Sequence, residues 1–332
     1  MARIWSEGWE TQSLLMPDGS GTYVLGPNTG VFVAGYQGGS AIRMGTSGGV
    51  IFPVNETEFY MRVLFHTALA ASIVDHIIFR NESAATQASV RFGEGTTIRL
   101  FVNGVQVAAS TQLFTSWGRI EVYYLFDNSG QIIVRLNGTD VINWSGDSAV
   151  SGTMIGDLFI TEGTVGVFMA CDDVAINDTT GAENDSWVGN GRIRAIIPNG
   201  NGASSQWVGS DGNSTDNYLL VDDVPNDGDT TYVRTSAAAQ TDDYELSTVT
   251  LAAGETVKNV WSEIIVRKDT GTPPFVRHGY ISGGTTVESG DIDPTTTYAR
   301  YAGEASGPDN PDTSVAWVQA DIDALKSMIR TV

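Results

Sequence analysis

The sequence predicts an all-β protein made of two antiparallel sandwiches joined by an acidic connection. Three observations predict it. Thirty-eight glycines stand beside only ten prolines in 332 residues, with eight tryptophans and abundant Thr, Val and Ile, a composition suited to short strands and tight turns. From Val31 to Ala175 one plan repeats, an apolar or alternating run followed by a glycine-bearing turn. Within it, two Asn-Gly pairs sit between β-forming segments.

The elements follow in chain order. Gly48 to Ala70 reads as a pair of strands, with Pro53 at an edge or strand end because it lacks an N–H for the ladder. Ser72–Asn81 and Ala88–Gly95 add two more. Arg99–Ala108 and Ile132–Ile142 are hairpins, since Asn-Gly readily takes the positive φ angles of a type I′ turn. Between them Ile120, Val122, Tyr124 and Phe126 alternate onto one face before Asp127-Asn128-Ser129-Gly130 reverses the chain. Gly156 to Asp178 closes the region with a terminal strand. About ten to twelve strands at this spacing make a double-layered antiparallel sandwich.

The N-terminal domain spans 1–200, an acidic strap 201–246, and a second sandwich with a short helix 247–332. Between Gln206 and Glu245 nine acids face a single Arg234, too polar a composition for a core, so the segment reads as a strap anchored by Trp187, Trp207, Tyr218 and Tyr232, with a flexible linker as the alternative. Strand patterns return at Val249–Asp269, Phe275–Gly290 and Thr297–Gly303. In the last residues Ile322, Leu325 and Ile329 recur at helical spacing, with Lys326 and Arg330 placed favourably for the helix dipole.

Charge bounds the partners. A formal charge of −21, with only 18 Lys and Arg, argues against nucleic acid, whose phosphates need clustered cations. No stretch reaches the length of a membrane span, and the first residues carry no secretory pattern, so synthesis in a cytoplasm is expected. The single Cys171 excludes an intrachain disulfide and reads as a buried, inert thiol.

Reactive constellations are sparse. Glu56 and Glu58 are the nearest fit to a glycosidase carboxylate pair, sharing a face of one expected strand, and read as a solvated strand start. His66 and His76 lie among apolar strand residues and read as packed or edge histidines. His278 completes the set of three histidines, and no G-x-S-x-G elbow accompanies them. Cys171 alone does not complete a zinc site. Asp172-Asp173, Asp222-Asp223 and Asp242-Asp243, with Asp227 and Asp229, could supply oxygen ligands to a structural calcium ion, although no EF-hand loop is present. No catalytic or cofactor-binding residue is assigned, metal ligands are left open, and the expectation is a chain that is not an enzyme.

Four runs carry a resemblance. WGRIEVYYLFDNSGQIIVRLNGTDVINWSGD (Trp117 to Asp147) and DDVAINDTTGAENDSWVGNGRIRAIIPNG (Asp172 to Gly200) resemble the concanavalin A-like, laminin-G-type jelly roll of tailed-bacteriophage virion proteins. NDGDTTYV (Asn226 to Val233) and AWVQADIDALKSMIR (Ala316 to Arg330) are similar to the C-terminal sandwich that often follows it, although Val318 stands after Trp317 where those proteins carry a capping Thr. The resemblance implies a non-enzymatic virion component, a capsid decoration, head fibre, tail or adhesin unit, contacting other virion proteins or a host-surface glycan. A homo-oligomer is expected, with a trimer the first choice. Loops around Gly39, Gly93 and Asp211 would meet partners. Two other readings stay open: a lectin-like glycan-binding module and a polysaccharide-degrading enzyme.

Overall fold

The computed structural model describes residues 3–10, 12, 24–25, 31–34, 40–43, 48–67, 74–93, 97–113, 116–161, 169–269, 275–303 and 306–332. The fold is all-β and divides into two compact units. Unit 1 takes the described residues up to Ile193, and unit 2 those from Arg194 onward together with Gln12.

Unit 1 contains β1 (Arg3–Glu7), β2 (Val24–Leu25), β3 (Val31–Ala34), β4 (Ser40–Arg43), β5 (Gly49–Glu56), β6 (Glu58–Thr67), β7 (Val74–Asn81), β8 (Thr86–Gly93), β9 (Thr97–Val102), β10 (Val105–Leu113), β11 (Ser116–Leu125), β12 (Gly130–Leu136), β13 (Thr139–Gly146), β14 (Ile155–Thr161) and β15 (Met169–Asp178). They form an eight-stranded sheet in the order β13-β12-β11-β6-β15-β4-β3, with β1 also on β15, and a seven-stranded sheet in the order β10-β9-β8-β7-β14-β5-β2. All pairings are antiparallel.

Both Asn-Gly pairs form the expected two-residue hairpins, with Val102 opposite Val105 and Leu136 opposite Thr139. Their φ angles are +50° and +74° at Asn103 and Gly104, and +52° and +89° at Asn137 and Gly138, the signature of a type I′ turn. Pro53 lies beyond the two β5 residues that β2 pairs, so one side of β5 is an edge there among the described residues. Alternation then builds the core. Ile120, Val122 and Tyr124 of β11 point inward with Phe59, Met61 and Val63 of β6, against Phe79, Val90 and Leu100 of the other sheet. Phe79 lies 5.0 Å from Tyr124 and 6.1 Å from Phe59, ring centre to ring centre, joining the layers. The buried Tyr124 hydroxyl donates to the Ser148 carbonyl at 2.8 Å, which satisfies its one polar atom.

Unit 2 contains β16 (Pro198–Ser205), β17 (Val208–Gly209), β18 (Val233–Arg234), β19 (Thr241–Leu246), β20 (Glu263–Val266), β21 (Val276–Ser282), β22 (Thr285–Glu288), β23 (Ala299–Ala302), β24 (Asp309–Asn310), β25 (Val315–Ala316), α1 (Gln319–Asp323) and β26 (Lys326–Thr331). Its main sheet runs β16-β19-β26-β21-β22, beside three two-stranded sheets. On one face Tyr280, Trp317, Ile322 and Leu325 form a core, and Val249, Leu251, Val257 and Val260 pack on it.

Three expectations are revised here. Residues 201–246 are no separate strap, because β16 and β19 are strands of the main sheet. Acidic composition misled, since Asp242 and Asp243 are buried and matched by hydrogen-bond donors rather than solvated. Val249–Asp269 is strand only at β20, and its earlier apolar residues are anchors of an irregular segment. The C-terminal helix is a single short one, and Lys326, Ile329 and Arg330 belong to β26 in the middle of the sheet. Cross-strand pairing on both sides of β26 outweighed the helical spacing. At the start of α1, Asp321 accepts the Val318 N–H at 3.0 Å, although Val318 has no side-chain oxygen to cap with. Among the described residues no helix is long and apolar enough to cross a membrane.

Candidate functional site

The outer face of the eight-stranded sheet carries the chemistry that its inner face cannot. Residues directly opposite in an antiparallel pair share a face, so the register sets a row across five strands: Asn177, Tyr60, Tyr123, Ile133 and Asn143. Tyr60 and Tyr123 are partly exposed with ring centres 4.9 Å apart. Trp187 joins them from the segment that follows β15, 5.1 Å from Tyr60 and 6.5 Å from Tyr123. Arg135 of β12 lays its guanidinium 3.6 Å from the Trp187 ring centre and pairs with Asp140 at 2.5 Å.

Glu58 fixes the patch. Its carboxylate accepts the Tyr123 hydroxyl at 2.7 Å and the Thr179 hydroxyl at 3.4 Å. Burial first, then the bond to Glu58, pushes the Tyr123 phenol far up, so it stays protonated and donating. The Tyr60 phenol is raised by burial and then by Glu58 and Asp185, with Arg135 opposing.

Beside the patch, on the same face, a buried charge network holds the crossing segment in place. Arg62 is 2 % exposed. Its Nε and Nη2 donate to the Asp173 carbonyl at 3.0 and 2.8 Å, and its Nη1 donates to the Gly191 carbonyl. Asp173 sits at φ +49° in a bulge of β15. Its carboxylate accepts the Ile193 N–H at 2.6 Å, while Glu121 accepts the Gly189 N–H at 2.8 Å. Burial lowers the Arg62 pKa, and Asp173, Glu121 and Asp172 oppose that shift. Gly8 is needed beside this clamp, because a Cβ there would meet the Ile193 Cβ at 2.7 Å.

The residues singled out from the sequence fall in separate places. Glu56 ends β5 and Glu58 begins β6, strands of different sheets, so they share no strand face as expected. The positive φ of Asn55, +56°, starts the turn that divides them. His66 is partly exposed with its ring edge-on to Trp117 at 5.3 Å. His76 is buried against Phe92, bonded to the Thr161 carbonyl, and driven down to about 4 by burial. His278 is likewise driven down to about 4 by burial; its Nδ1 meets the Ser262 hydroxyl at 2.8 Å, while its Nε2 makes no hydrogen bond among the described residues. Cys171 is fully buried, and burial raises its thiol well above the ordinary range.

Most of the paired acids accept hydrogen bonds from protein groups. Asp242 is fully buried and accepts from the Gln206 and Trp207 N–H groups, the Asn217 amide and the Tyr244 hydroxyl. Asp243 accepts from Ala203 and Ser204. Asp223 accepts the Thr231 hydroxyl, Asp227 accepts the Thr231 N–H, and Asp229 pairs with Arg267. Among the described residues no three His, Cys, Asp or Glu side chains gather as a metal-binding group. Of the loop positions, Gly39 lies outside the described residues, Gly93 ends β8, and Asp211 stands exposed in a turn.

Sequence reasoning took Trp187 for a strap anchor and passed over Tyr60, Tyr123 and Arg135. The Tyr123-Tyr124 doublet was the available signal. On an alternating strand it sends one aromatic to the core and one outward.

No family model and no curated protein matches this chain. Solved structures do match, at low identity. Domain 4 of AbnA, a GH43 extracellular arabinanase from Geobacillus stearothermophilus in complex with arabinotriose, is 12% identical with a TM-score of 0.40, covering 53% of this chain and 92% of that one. Cellulose induced protein, Cip1, is 13% identical with a TM-score of 0.42, covering 56% and 100%. An endo-beta-1,4-glucuronan lyase from the fungus Trichoderma reesei is 12% identical with a TM-score of 0.36, covering 53% and 96%. Sialidases also appear, one at 11% identity and a TM-score of 0.41, covering 54% and 18%. These likenesses concern β-sandwich folds, and no virion protein is among those named. The expectation that the chain is not an enzyme is corrected: a lyase and sialidases are among the matched structures.

Proposed function

We propose that unit 1 recognises a glycan at the outer-face patch of Tyr60, Tyr123 and Trp187. The observation that carries this reading is the set of ring distances, 4.9, 5.1 and 6.5 Å, among partly exposed aromatics that Glu58 and Arg135 hold in place. Sugar rings offer apolar C–H faces to such surfaces and hydroxyls to flanking polar groups. Asn143 and Gln131, already bonded to each other at 2.9 Å, supply flanking amides on the same face. Preset side chains lose little entropy on binding. Covering roughly 60 Å² of apolar ring surface is worth about 1.5 kcal/mol, or about tenfold in affinity. A glycan array followed by calorimetry tests it. Tyr123→Ala and Trp187→Ala should each weaken array hits by about tenfold while the protein stays folded. An array without hits, or hits indifferent to both substitutions, would refute the proposal.

A second reading concerns where the module works. The resemblance of Trp117–Asp147 and Asp172–Gly200 to tailed-bacteriophage virion proteins supports placement on a virus particle, where glycan recognition would serve attachment. A homotrimer belongs to this reading. Cryo-electron microscopy of purified particles tests the placement, and absence of the chain from every particle component would end it.

A further inference from the structure

The groups around the aromatic patch also select by charge. Glu58 flanks it at the start of β6, with one carboxylate oxygen 2.7 Å from the Tyr123 hydroxyl. Asp185 stands two residues before Trp187, whose ring meets Tyr60 at 5.1 Å, and its charge adds to that of Glu58 in raising the Tyr60 phenol. The cation at the patch, Arg135, is engaged by Asp140 at 2.5 Å and by the Trp187 ring at 3.6 Å. Arg119, on the same face of β11 as Tyr123, is paired with Glu121 at 3.1 Å. An incoming carboxylate therefore meets the charge of Glu58 and Asp185, while Arg135 and Arg119 each already face a carboxylate of their own. The whole chain adds to this field, with 39 acids against 18 Lys and Arg.

From these observations we infer that the patch accepts neutral or amino sugars and rejects sialylated and uronic-acid glycans, an inference that rests on the glycan reading of the same site. Two nearby like charges in water-exposed surroundings separate a neutral ligand from its carboxylated counterpart by about tenfold. The gap narrows with salt, because exposed charges are screened within about 8 Å at physiological ionic strength.

The test is an array and titrations using matched oligosaccharides: lactose against sialyl-lactose, and cello-oligosaccharides against their uronic-acid counterparts. The wild-type chain should bind the neutral or amino member of a pair at least about tenfold better at low salt. The double variant Glu58→Gln, Asp185→Asn should close that gap. The amide that replaces the Glu58 carboxylate keeps an oxygen to accept the Tyr123 hydroxyl, so the rings stay set. Equal or preferential binding of the anionic member by the wild type overturns the charge selection and leaves the glycan site standing. An unchanged gap in the double variant overturns the assignment to Glu58 and Asp185. Binding of no array member at all, or binding that Tyr123→Ala and Trp187→Ala both leave intact, overturns the glycan site and this inference with it.

Discussion

Replacing Arg62 by Met tests how unit 1 holds its candidate site. Met fills comparable volume, so the loss is electrostatic rather than a cavity. The guanidinium makes short contacts to the Asp173 and Gly191 carbonyls, and Asp173, Glu121 and Asp172 face its charge. Hydrogen bonds to a charged group contribute about 1.5–3 kcal/mol each. Removing one partner from a buried charge network costs about 3–5 kcal/mol, because the acids left behind stay buried. Unit 1 of Arg62→Met should therefore lose about 3–5 kcal/mol, and the segment over the sheet should loosen first. Hydrogen-exchange mass spectrometry locates the effect: peptides containing Gly189 and Ile193, whose N–H groups donate to Glu121 and Asp173, should lose protection. Glycan binding should weaken in parallel, since Trp187 rides on that segment. Unchanged protection at 189–193 with an unchanged urea midpoint would show that the clamp contributes no stability and would refute the reasoning.

Other outcomes follow from single features. Asp242→Asn keeps an oxygen for the Gln206 and Trp207 N–H groups but turns an amide toward the Asn217 amide, costing unit 2 about 3 kcal/mol, read by exchange of peptides around 206–217 and 241–246. Acid should weaken both units above the carboxylate range: His76 and His278 titrate near 4 when folded and near 6.5 when unfolded. The unfolded chain then binds more protons, so stability falls from about pH 6.5 toward pH 4, by up to about 3 kcal/mol per histidine. A melting temperature flat between pH 7 and 4.5 would contradict this, and His278→Gln should remove the slope from unit 2 alone. Gly104→Ala, at φ +74° with nothing among the described residues within 4 Å of the added methyl, isolates backbone strain and should cost about 1 kcal/mol in the β9–β10 hairpin, measured by urea denaturation.

Period-two alternation, Asn-Gly turns and glycine spacing made the all-β class and the strands from Gly49 to Asp178 legible, because these signals act over a few neighbouring residues. The same local logic sent Tyr124 to the core and left Tyr123 outside. Glu58 entered the sequence reading as half of a pair with Glu56, and only the turn at Asn55 and Thr57 shows that the two belong to different sheets. Lys326–Thr331 has the spacing of a helix and is a central strand, since neighbours on both sides supply ladder bonds that no sequence window contains. Sequence by itself therefore determined the class of structure, the turns and the faces of single strands. Tertiary structure alone decided which strands are neighbours, that Asp242 lies in a core, and that Trp187 returns across the sheet to meet Tyr60 and Tyr123. Those facts depend on contacts between residues far apart in the chain, where burial, charge pairing and cross-strand register outweigh local preference.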